Sequence, residues 1–148
     1  MMAFDEPTLP ALLRKAEFYR CNVRRSPEGY VNIFCPPGYG LRFNTTPTAI
    51  HTVRDVKASH VTPYRLNPRD RDPPAAQDFL ERYPQCRYSS MGSVMGSRTT
   101  ILEFDCGDMP VYELGEMMEW LINTSTYALK VAYSGPDPGY YRGPGRGR

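Results

Sequence analysis

The chain has 148 residues, a formal net charge of +2, 41% hydrophobic and 12% aromatic residues, 15 Pro and 12 Gly. That length suits one domain large enough to bury a core, and the Pro and Gly content implies long loops and short regular elements. The chain contains no 18-residue apolar run, which excludes a transmembrane helix by composition.

The start, Met1 to Pro7, is acidic and lacks an apolar signal core, so a secreted product is not expected. Cys21, Cys35, Cys86 and Cys106 form no CxxC pair. Scattered cysteines in a chain without a signal segment read as reduced thiols, mostly buried, and as an intracellular location, in the cytoplasm or in a particle assembled there. Charge is segregated. Residues 1–98 carry 14 Lys+Arg against 9 Asp+Glu, residues 99–134 one Lys against six acids, and residues 135–148 three Arg against one Asp. Separated charge biases which surfaces meet, within one molecule or between copies. Arg outnumbers Lys by 15 to 3. Arg grips phosphate or carboxylate with two hydrogen bonds and stacks on aromatics; the alternative reading, of equal weight, is a GC-rich coding sequence, which enriches Arg, Pro, Gly and Ala.

Thr8 can cap a short helix running to about Ala16, with Pro10 in the first turn and Leu9, Leu12, Leu13 and Ala16 on one face. A hairpin follows: Phe18–Arg24 and Tyr30–Cys35 flank Ser26-Pro27-Glu28-Gly29, a type I turn sequence. Its second strand has apolar residues on both faces, which predicts an interior strand or one covered on both sides. Leu41–Asn44 and Ala49–Val53 are further candidate strands, and residues 54–74, with four Pro, read as an extended surface loop. A second helix is expected over Pro74–Tyr83, with Asp72 near its start, Pro84 as its stop, and Ala76, Phe79, Leu80 and Tyr83 facing inward.

Residues 85–98, with Met91-Gly92-Ser93 echoed by Met95-Gly96-Ser97, read as a mobile loop. In Thr99–Cys106, Ile101, Glu103 and Asp105 alternate with Leu102, Phe104 and Cys106, a strand pattern. Gly107-Asp108 turns the chain, and Asp108 is positioned to cap a helix through Ile122 with Val111, Leu114, Met118, Leu121 and Ile122 as its apolar stripe. Tyr127, Leu129, Val131 and Tyr133 alternate with Ala128, Lys130 and Ala132, predicting a final strand parallel to the first. The expected fold is α+β: a single mixed β-sheet with an N-terminal hairpin and a C-terminal β-α-β unit, helices packed mainly on one face, and long Pro/Gly-rich loops. Residues 1–134 form the single domain and 135–148 a disordered Arg/Gly/Tyr tail.

No catalytic, metal or nucleotide motif stands out, and no cofactor or small-molecule substrate is implied. His51 and His60 are the only histidines, without ligand-spaced partners, and Cys35 ends an apolar strand where a buried thiol is inert. An enzyme would need a site assembled in space around those three residues. Glu113, Glu116 and Glu119, with Glu103 and Asp105 beside them, are either a solvated face or an acidic docking surface for Arg-rich segments. Arg14, Lys15, Arg20, Arg24 and Arg25 are candidates for a basic surface near the hairpin. Tyr140, Tyr141, Arg142, Arg146 and Arg148 give the tail a composition suited to binding RNA by charge and stacking.

The leading functional expectation is a non-enzymatic binding or assembly protein, a homo-oligomer or part of a larger assembly such as a virus or phage particle, joined through charge-complementary surfaces. The alternative is a nucleic-acid-binding protein that uses the Arg clusters and the tail. Attachment to an anionic membrane surface is compatible with Arg and Tyr, though no strongly amphipathic basic helix is visible.

Overall fold

In the computed structural model, residues 8–35, 39–45, 51–62, 65–66, 73–93, 100–134 and 140–141 are described. Helix α1 (Leu9–Phe18) starts as its cap sequence requires: the Thr8 Oγ1 accepts from the Ala11 N–H at 3.4 Å, and Pro10 lies in the first turn. It ends in a Schellman arrangement, with the Arg20 N–H donating to the Glu17 carbonyl and the Cys21 N–H to the Ala16 carbonyl, both at 2.9 Å. Arg20 occupies the left-handed position at φ 60°, where glycine is usual. The reversal sends the chain into β1 (Asn22–Arg25), which pairs antiparallel with β2 (Tyr30–Cys35). At the connecting turn the Gly29 N–H donates to the Ser26 carbonyl at 3.1 Å, with Gly29 at φ +93°.

Strands β3 (Tyr39–Asn44), β4 (Thr52–Thr62), β6 (Arg87–Ser93) and β7 (Thr100–Pro110) complete a six-stranded sheet in the order β1-β2-β3-β4-β7-β6. Every neighbouring pair in it is antiparallel. The short β5 (Arg65–Leu66) and β8 (Tyr140–Tyr141) form a separate parallel pair. Helices α2 (Pro74–Arg82) and α3 (Val111–Ser134) complete the chain, and the whole is mixed α+β with strands predominating.

Several expectations are corrected. The sheet is antiparallel rather than mixed, because the segment 127–133 read as a parallel strand continues α3. No Gly or Pro interrupts the chain between Glu116 and Ser134, and Ala, Leu and Lys within 127–133 are good helix formers, so the two-residue alternation was coincidental. Residues 52–62, mostly assigned to a loop, form half of the central antiparallel pair with β7. Residues 87–93, assigned to a mobile loop, form edge strand β6; residues 94–98 of that expected loop lie outside the described residues. Asp108 does not cap α3. Gly107, at φ +66°, lies at a register shift within β7, and the Asp108 Oδ1 instead accepts from the Asp55 N–H at 3.2 Å across the strands. Asp72, expected near the start of α2, is outside the described residues, and Pro73 occupies the cap position. Of the expected tail, Tyr140 and Tyr141 form β8, while 135–139 and 142–148 lie outside the described residues.

Most of the core lies on one side of the sheet; Val61, in register with Ile101 on the other face, is also buried. Cross-strand register places Val23, Ile33, Leu41, Ala58, Phe104 and Tyr88 in one row spanning all six strands on the core side. Helix α3 docks there through Val111, Leu114, Met117, Met118 and Leu121, all buried. Phe79 of α2 stacks on Phe104 at 4.1 Å between ring centroids and meets Trp120 of α3 at 5.7 Å. Helix α1 is tied to α3 by Glu119, which accepts from the Tyr19 hydroxyl at 2.7 Å and pairs with the buried Lys15 ammonium at 3.7 Å. Among the described residues, no helix is long and apolar enough to cross a membrane.

The cysteines, expected as reduced thiols, are paired. Cys21–Cys35 joins the start of the first hairpin to the end of β2, and Cys86–Cys106 joins the entry to β6 to β7. Spatial neighbours across strands are distant in sequence, so scattered spacing carried no sign of the pairing. Disulfides persist in oxidising surroundings, and the pairing removes the cysteine-based reason for expecting an intracellular site.

Candidate functional site

Because side chains alternate along a strand, the face opposite the core carries its own cross-strand rows. Register aligns Arg24, Asn32, Arg42, Lys57, Asp105 and Arg87 across β1, β2, β3, β4, β7 and β6. The next row holds Asn22, Phe34, Gly40, Ser59, Glu103 and Ser90. On the other flank Tyr30 pairs with Asn44 and Asn44 with Arg54. Arg24, Arg42, Arg54, Lys57 and Arg87 are all exposed.

The face is polarised. Strands β1 to β4 place Arg24, Arg42, Arg54 and Lys57 on it or at its bulged edge, against the single acid Asp55. Strand β7 places Glu103 and Asp105 there. The boundary is closed by Lys57, whose ammonium donates to the Asp105 carboxylate at 2.7 Å; that hydrogen bond chiefly raises its pKa. The Arg42 guanidinium lies 4.3 Å from the Tyr30 ring centroid, a cation–π contact. Arg24 and Arg54 form no ion pair among the described residues.

Phe34 is 45% exposed on this face. Of the two alternatives expected for this strand, the first is found: β2 is interior to the sheet, between β1 and β3, and only its Val31, Ile33 and Cys35 side is buried. Beside Phe34 sits Gly40, which has no side chain to lean on the ring. A Cβ at Gly40 would collide with the Ile33 carbonyl oxygen, so the β2–β3 contact requires glycine at that position.

The residues singled out from sequence are dispersed. Of the five basic candidates, Arg24 alone stands in the cross-sheet row on the open face. Arg14 is exposed on α1, Arg20 follows it, and Arg25 is at the end of β1 in register with Val31 on the core side. Lys15 is 6% exposed and faces α3. The five acids divide as well: Glu103 and Asp105 lie on the open face, while Glu113, Glu116 and Glu119 belong to α3 beyond the sheet. Glu119 is occupied by Lys15 and Tyr19, and Glu113 accepts from the Gln85 amide at 2.8 Å. Glu113 and Glu116 line a groove of about 530 Å³ with Arg82, Tyr83, Pro110 and Tyr112. Arg42, Arg54, Lys57, Tyr30 and Phe34 were not singled out, because strand alternation identifies them only once the strands are placed in register.

Cys35 is bonded to Cys21. His51 is exposed just before β4, and His60 is buried within it. Neither His60 nitrogen has a hydrogen-bond partner among the described residues, and its ring lies 5.0 Å from Trp120. Burial lowers its pKa from 6.5 to about 4. Among the described residues, no three His, Cys, Asp or Glu side chains are grouped to hold a metal. No protein-family model matches this chain, and comparisons with curated proteins and with solved structures return no match.

Proposed function

We propose that this is a non-enzymatic nucleic-acid-binding protein that works through the uncovered face of its sheet. The observation that supports this reading is the row Arg24–Asn32–Arg42–Lys57, with Arg54 beside it and the aromatic rings of Tyr30 and Phe34 interleaved. The sheet holds the backbone positions of these cations in fixed register, so their spacing is set before a polyanion lands. Arg also suits phosphate by its fork geometry. The test is fluorescence polarisation of the intact, oxidised protein against labelled oligonucleotides between about 50 and 200 mM salt. With three phosphates contacted, by Arg24, Arg42 and Arg54, log K should fall against log salt with a slope of about −2 for a single strand. No binding at the low-salt end refutes the reading.

A second reading is self-association through the same face, favoured by its polarity: the cations of β1–β4 in one copy would oppose Glu103 and Asp105 in another. Both readings predict salt sensitivity, and light scattering in the absence of nucleic acid separates them. A monomer under those conditions removes the second.

A further inference from the structure

Resting on the reading above, we infer that the ligand is single-stranded nucleic acid, RNA or DNA, laid across β1 to β4 with an unpaired base stacked on Phe34. The three inter-strand steps from Arg24 to Lys57 span about 14 Å at ~4.8 Å each, the length of about four stacked nucleotides at ~3.4 Å rise. Within that span the cations lie in one row and Phe34 in the adjacent one, offset by two residues along β2. Phosphates therefore track the row of cations while a base turns aside onto the ring.

Phe34 is suited to that role by exposure and by its neighbours. Its flanking partners on the face are Asn22 and Gly40, one short and polar, the other without a side chain, so the ring presents clear area to a planar base. The neighbouring Arg42 guanidinium already stacks on Tyr30. An aromatic on an open sheet next to arginines binds bases through stacking that every base can supply, so the surface is tolerant of sequence.

The same face disfavours duplex. Paired bases keep their planes inside the helix and offer Phe34 nothing to stack on. A duplex also carries about one charge per ~1.7 Å along its axis, and its second strand would be brought toward Glu103 and Asp105. The acids of β7 thus form an edge that a single strand confined to β1–β4 avoids.

The experiment uses the intact protein with labelled 12-mers of oligo(dT), oligo(U) and a dA·dT duplex, measured by fluorescence polarisation. The single strands should bind at least tenfold more tightly than the duplex. Phe34→Ala should weaken single-strand binding by about 5- to 150-fold and leave its salt slope unchanged. Phe34→Tyr, which retains a ring to stack, should restore wild-type affinity. Arg42→Gln should weaken both ligands and reduce the salt slope by about 0.7 for the single strands. Far-UV circular dichroism and melting of each variant confirm that the fold is kept. Equal or tighter binding of duplex, or an unchanged Phe34→Ala, overturns the single-strand inference while leaving the anionic face in place. Failure of all three ligands to bind overturns the underlying reading with it.

Discussion

Acidification should destabilise this protein through His60. The side chain is 5% exposed, its two nitrogens lack hydrogen-bond partners among the described residues, and Trp120 packs against the ring. Across the sheet His60 is in register with Leu102, so the strand partner at that position supplies no charge to stabilise an imidazolium. The neutral form is tolerated and the charged form is not, which is why the folded pKa is about 4 against 6.5 for the free side chain. Above pH 6.5 neither state is protonated there and the site contributes no pH dependence. Between pH 6.5 and 4 the unfolded chain takes up a proton that the folded chain refuses, so stability falls as pH falls, and below about 4 the loss levels off. The difference of about 2.5 units corresponds to roughly 3 kcal/mol at ~1.36 kcal/mol per unit, most of it lost by pH 4.5. That is a large share of the ~5–15 kcal/mol typical of a folded domain. Urea unfolding followed by fluorescence of Trp120, the sole tryptophan, measures it at pH 7.5 and 4.5. Carboxylates also titrate in this window, so His60→Leu provides the comparison: it should lose about 2.5 kcal/mol less than wild type between the two pH values. Equal losses in the two proteins would refute the argument.

Two further outcomes follow from buried chemistry. Mass spectrometry without reductant should find the chain lighter than its reduced form by four hydrogens, with Cys21–Cys35 and Cys86–Cys106 as the linked peptides. Removing either bond by paired Cys→Ala substitution should cost about 3 kcal/mol in urea unfolding, from the chain entropy released by loops with separations of 14 and 20 residues; identical midpoints with and without reductant would contradict the pairing. At the α1–α3 contact, Glu119→Gln should destabilise by about 1–3 kcal/mol, because the 6%-exposed Lys15 ammonium loses the Glu119 carboxylate and the Tyr19 hydroxyl loses a charged acceptor. An unchanged midpoint of Glu119→Gln in thermal melts would refute the account.

Local signals carried α1, the turn at Ser26–Gly29, α2 and the first half of α3, because each is specified by a cap, a turn residue or an apolar period within a few positions. They failed where the deciding partner was remote. Strand β4 is Val-containing but polar and bulged at Asp55, and its identity comes from pairing with β7 some fifty residues later. Strand β6 looks like a Gly/Ser loop and is held by the same partner. Glu119 sits on a plausible acidic stripe, yet the docking of α1 gives it to Lys15 and Tyr19.

Read alone, the chain determined an α+β fold with an antiparallel hairpin near its start, a strand and an amphipathic helix to Ile122 in its last third, and an uneven distribution of charge. Hydrophobic period and turn chemistry act over short distances, so those features are local. Tertiary structure decided which cysteines meet, that His60 is sealed beneath Trp120, and that Arg24, Arg42 and Lys57 share a row with Phe34 beside it. Cross-strand register is the physical reason: it joins residues far apart in sequence, and an error of one position would turn every one of these side chains to the opposite face.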